Sequence, residues 1–169
     1  MKTYLVVLSV LILNLVQGQD GRREDINLIT DEIDSSLELT TKEFDAVEVC
    51  QTPFDGGGII TIKHNEQELK MVKEEIGLSF GRVTTCIYFD NGKPIKLIES
   101  EENFPMNHDE SGFDYTVLNQ VFKATFWIYN WNMDEMDVVR EGKRISSDGT
   151  CSIYEYSPLI ELGERLMKE

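Results

Sequence analysis

Hydrophobic positions along the chain follow three different rules. Lys2 precedes an uncharged, almost wholly apolar run from Tyr4 to Val16. Beyond it, Ile26, Ile29, Ile33 and Leu37 recur at steps of three, four and four, which lines one face of a helix over residues 25–39, with Glu24 and Asp25 suitably negative at its start. A β-leaning piece from Phe44 to Cys50 ends at Pro53, and Asp55-Gly56-Gly57-Gly58 breaks the chain before the pattern changes. From Gly58 the period is two, with Ile60 and Ile62 on one side of a strand and Thr61 and Lys63 on the other. After a turn at Asn65-Glu66, a second extended run carries Leu69, Met71 and Val72. Residues 77–81 interrupt it, and a third run spans Arg82 to Asp90.

Asn91-Gly92 is the sharpest local signal, because both residues tolerate positive φ and a two-residue type I′ turn folds strand 82–90 onto strand 93–100. A regular hairpin there sets Asp90 opposite Lys93, Tyr88 opposite Ile95, Cys86 opposite Leu97 and Thr84 opposite Glu99, with Cys86 turned inward. Pro94 opposes Phe89 and offers no N–H to a third strand. Residues 99–115, acidic and carrying Pro105 and Gly112, read as a long loop. Strand character resumes at Val121–Tyr129 with both faces apolar, as in a strand covered on two sides. Ser157 as N-cap and Pro158 at the first helical position open a final helix presenting Leu159, Leu162 and Leu166. The predicted class is α+β: an antiparallel β-meander of roughly five to seven strands with an N-terminal and a C-terminal helix.

Lys2, the apolar run and Gly18 have the form of a secretory signal peptide over residues 1–18, leaving residues 19–169 as a single globular domain. The run is short of the ~20 residues that a membrane-spanning helix needs. The expected localisation is therefore secreted or periplasmic. With 31 acidic residues against 16 basic ones and a net charge of −15, nucleic acid and anionic lipid are poor partners. Three cysteines in an oxidising compartment allow one bridge and one free thiol. Cys50 and Cys151 lie beside turn-forming residues and Cys86 lies within a strand pattern, which favours Cys50–Cys151.

The succession INLITDEI, DGGGIITIKHNEQELKMV, GLSFG and CIYFDNGKPIKLIESE resembles a group of uncharacterised exported bacterial proteins with Y-Y-F-x-N-G-K-type β-hairpins, over residues 24 to about 100. Here Ile87-Tyr88 stands where that pattern has two adjacent aromatics. The resemblance implies a fold and no catalytic residues.

Four acidic clusters, 31–34, 99–102, 109–114 and 134–137, raise calcium binding or carboxylate catalysis. HDESGFD is only a loose imitation of a calcium loop, and in a chain this acidic some carboxylate pair will fall at glycosidase spacing by chance. His64 and His108 lack zinc-site spacing and show no link to a cysteine, and Gly56-Gly57-Gly58 is followed by no Lys-Ser or Lys-Thr. No metal or other cofactor is expected. Trp127, Tyr129 and Trp131 fall at period two and would share one strand face, a binding surface if exposed and core if not. The expectation is a non-enzymatic binding or interaction module for a protein or carbohydrate partner. The alternative is a carboxylate-dependent, glycosidase-like hydrolase, which requires two acids converging in an apolar cleft.

Overall fold

The computed structural model describes residues 21–107, 109, 111–145 and 153–169. Seven strands form one antiparallel sheet in strict sequence order: β1 (Thr40–Asp45), β2 (Gly58–His64), β3 (Leu69–Leu78), β4 (Gly81–Asp90), β5 (Lys93–Asn103), β6 (Asn119–Asn130) and β7 (Glu135–Gly142). Helix α1, residues 21–35, lies on one face. Helix α3 (Ser157–Leu166) and the short α2 (Ala46–Cys50) lie on the other. The predicted meander and both terminal helices are present. The content is mostly β, since the sheet dominates and the helices cover it.

Alternation along the strands assigns the two faces. Ile62, Val72, Ile87, Leu97, Phe126 and Val138 stand in one cross-strand row, the first five fully or almost fully buried, and form the centre of the core beneath α3. Each such side chain contributes about 1.5–3 kcal/mol by leaving water. The neighbouring row on the opposite face, Lys63, Met71, Tyr88, Lys96, Trp127 and Asp137, lies under α1. Ile26 and Ile33 are buried there, and Lys63 Nζ donates to the carbonyls of Ile33 and Asp34 at the helix C-terminus. At the other end Arg22 and Arg23 reach Glu135 and Asp137, so α1 crosses the strands from β2 to β7.

Several predicted boundaries shift. Helix α1 starts and stops a turn earlier than its periodicity implied. Ser35 Oγ donates back to the Asp31 carbonyl, Ser36 Oγ receives the Glu38 N–H, and Leu37 is left 99% exposed. The predicted β-leaning piece divides at Asp45, whose carboxylate caps α2 by accepting from Val47 N and Glu48 N. Asn91 and Gly92 both have positive φ (50° and 69°), as a type I′ turn demands, and Asp90 pairs with Lys93. A β-bulge then adds Ile95 to the second strand, so Tyr88 opposes Lys96, Ile87 opposes Leu97 and Cys86 opposes Ile98. The regular register would have placed Leu97 on the Cys86 face; the bulge moves it into the main core. Cys86 is inward, beneath α1. Pairing of β5 with β6 starts at Lys96, leaving Pro94 without a partner on that side.

The predicted loop at 99–115 is strand as far as Asn103, because Glu99 and Glu101 continue the inward parity of Leu97 and find polar partners inside. Strand β7 was not visible as a strand in the sequence. It is an edge strand on which Glu135, Arg140 and Glu141 are exposed while Asp137 turns under α1. Ser157 does not act as the N-cap of α3. A 3₁₀ turn at Ile153–Tyr156 feeds the helix directly and Tyr156 holds the cap position, while Pro158 sits in the first turn as expected.

Candidate functional site

On the α3 face, the cross-strand row next to the core centre is polar: Glu74 on β3, Thr85 on β4 and Glu99 on β5 stand side by side. Their parity follows from Val72-x-Glu74-x-Ile76 and Leu97-x-Glu99, so the pleat carries three polar groups inward among apolar neighbours. Over this row α2 and α3 diverge. The resulting cleft has a volume of about 710 Å³, with Glu74 and Thr85 on its floor, Val49 and Cys50 on the α2 side, and Pro158 and Leu162 among its α3 walls. Arg165 bridges the two helices by donating to the Val49 carbonyl at 3.2 Å.

The two carboxylates of this row differ in kind, and only Glu74 lines the cleft. Glu99 is saturated: Oε1 is ion-paired with Arg144, and Oε2 accepts from Tyr156 Oη at 3.0 Å. Glu74 is partly buried, and that desolvation raises its pKa. Beside it the Cys50 thiol is also pushed up, first by burial and then by the charge of Glu74, so it is held as a thiol rather than a nucleophilic thiolate. Chemically the cleft can offer a carboxyl group, a threonine hydroxyl and hydrocarbon walls to a small molecule.

The aromatic triplet does not form a single face. Trp127 lies under α1, with Nε1 donating to Asn27 Oδ1 at 3.0 Å and Arg23 4.9 Å from its ring centroid. Tyr129 is stacked under Arg22 at 3.8 Å and donates to Asp137 at 2.5 Å. That hydrogen bond, with Arg23, holds the Asp137 carboxyl below its ordinary range. Beyond Ile128 the register shifts and the chain enters a 3₁₀ turn at Trp131–Met133, so Trp131 packs against the main core instead. Only Tyr129 and Trp131 meet again, on a second groove of about 550 Å³ at the sheet margin with Asp90, Lys93, Asn130 and Asn132.

No disulfide is seen among the described residues. Cys50 and Cys86 are not bridged to each other, and Cys151, the expected partner of Cys50, lies outside the described residues, as does His108. Among the described residues no three His, Cys, Asp or Glu side chains converge as metal ligands, and no helix is long and apolar enough to cross a membrane. In the acidic clusters, Asp34 accepts from Tyr88 Oη at 2.9 Å, and Asp109 and Asp114 turn the chain by accepting from Ser111 and Thr116. Sequence reasoning missed Glu74, Thr85 and Tyr156. The available signal was a glutamate at the inward parity of an otherwise apolar strand. No family model, curated protein or solved structure matches the chain.

Proposed function

We propose that this protein is an exported, non-enzymatic binding module that holds a small ligand in the cleft between α2 and α3, with Glu74 as the polar anchor. Export rests on the signal-peptide form of residues 1–18. The observation that carries the reading is a desolvated carboxyl on the floor of the α2–α3 cleft. Such a group raises the energy of the empty site, and a ligand donor relieves it. Binding is favoured over carboxylate-dependent hydrolysis because Glu99, the other acid of the Glu74 row, does not line the cleft and has both oxygens committed to Arg144 and Tyr156. Leu162, half-buried on the cleft wall, supplies the test. Leu162→Trp should block a ligand identified by native mass spectrometry of the exported protein while leaving the fold intact, and unchanged occupancy in that variant would refute the assignment.

A second reading is a carbohydrate or protein partner at the margin groove. It is supported by Tyr129 and Trp131 lining one concavity beside Asp90, Asn130 and Asn132, a mixture of rings and hydrogen-bonding side chains suited to sugars.

A further inference from the structure

We infer that the ligand of the α2–α3 cleft is a small organic ammonium, its charge on Glu74 and its hydrocarbon against α3. This rests on the cleft being the binding site and adds the chemical class. Three of the lining side chains are acidic, Glu74 on the floor with Glu155 and Glu161 on the α3 side, and one is basic. That one, Arg165, has its guanidinium turned to the Val49 carbonyl, where it ties α3 to α2. The elements around Glu74 present Ile60 from β2, Thr85 from β4, Cys50 from α2, and Glu161 and Arg165 from α3. Its sequence neighbours Lys73 and Glu75 belong to the opposite face and pair with each other.

An anion entering this space would meet three carboxyl groups. A neutral molecule would leave the Glu74 charge uncompensated. An ammonium supplies the missing counter-charge and up to three N–H donors in a partly dry site, where such a charge-assisted bond is strongest. The apolar half of the lining, Val49, Pro158, Leu159 and Leu162, receives a short alkyl or aryl body, and the volume is that of an ordinary small-molecule site. The protein's net charge of −15 draws cations toward it. Because burial raises the Glu74 pKa, an ammonium that favours the charged form should expel a proton from whatever fraction is protonated.

Three probes with one hydrocarbon body separate the possibilities: pentylamine, 1-pentanol and pentanoate, titrated calorimetrically at millimolar concentration into the exported protein and into Glu74→Gln and Glu161→Gln variants. We expect pentylamine to bind at least tenfold more tightly than pentanol. That preference should collapse in Glu74→Gln and weaken only slightly in the exposed Glu161→Gln. Repeating the amine titration near pH 5 in two buffers of different ionisation enthalpy should reveal proton release, and Glu74→Gln should lose it. Pentanol or pentanoate binding as well as pentylamine would overturn the ammonium inference while leaving a ligand cleft in place. Amine binding that Glu74→Gln does not alter would also overturn it. Failure of all three probes to bind would count against the cleft itself.

Discussion

Asn27 Oδ1 accepts the indole N–H of Trp127 at 3.0 Å from 100 residues away in sequence, and the same oxygen accepts Lys96 Nζ at 2.7 Å. One amide thus fixes α1 to two strands. Replacing it by alanine strands the Trp127 indole N–H beneath the helix and leaves Lys96 Nζ with Thr30 Oγ1, and an unsatisfied buried donor costs about 1–3 kcal/mol. Asn27→Ala should lower the urea midpoint correspondingly, and Trp127 should become more accessible to acrylamide. Unchanged quenching would show that α1 is held by its apolar contacts alone.

The Glu74 carboxyl has a folded-state pKa above its unfolded value. The folded state therefore binds more protons between the two values, and stability falls as pH rises from the unfolded glutamate pKa through the raised one. Glu74→Gln removes this dependence. Its stability relative to the parent should increase from pH 4 to pH 7, measured by denaturant unfolding at each pH. A constant difference would mean that Glu74 is hydrated in the folded protein.

Burial pushes the Cys86 thiol up to about 12, and Cys50 is raised less. Both shifts favour the neutral thiol. Iodoacetamide labelling of the native protein, followed by mass spectrometry, should modify Cys50 slowly and Cys86 only at the rate of global unfolding. Rapid labelling of Cys86 would show that α1 lifts from the sheet.

At Gly163 a Cβ would come within 2.9 Å of Leu69 Cδ2 and 3.1 Å of Val72 Cβ. Alanine normally gains about 1 kcal/mol over glycine in a helix. Here α3 must rise off the core, and overpacking costs about 1–3 kcal/mol. Gly163→Ala should therefore be neutral to destabilising by thermal melt, and it should disturb the cleft that α3 walls. A stabilised variant would contradict the close packing of helix and sheet.

Residues 82–93 made the hairpin legible, since turn chemistry is local and Asn91-Gly92 permits few alternatives. The bulge at Ile95 was not legible. It is a tertiary choice that sends Leu97 to the larger core and leaves Lys96 to reach Asn27 and Thr30. Glu99 and Glu101 concealed the end of the strand, because their inward parity makes sense only once Arg144, Tyr156 and the Ile145 N–H stand opposite them. The aromatic triplet failed as a row for a related reason. Period two holds only while the strand lasts, and Trp131 is already in a turn. The cleft depends on where α2 and α3 land on the sheet, which no local pattern encodes, although Glu74 between Val72 and Ile76 marks its floor.

The strict sequence order of the strands has a kinetic side. Each strand meets a chain neighbour, so the sheet can grow from the tight turn at Asn91-Gly92 by successive short closures, the inexpensive kind. The helices close the long loops: Arg22 meets Glu135 across 113 residues, and Arg165 meets Val49 across 116. Those dockings come late in assembly and are the first to be undone. The walls of the cleft then form after its floor, and whatever occupies it should slow the departure of α3 while leaving the zipping of the sheet untouched.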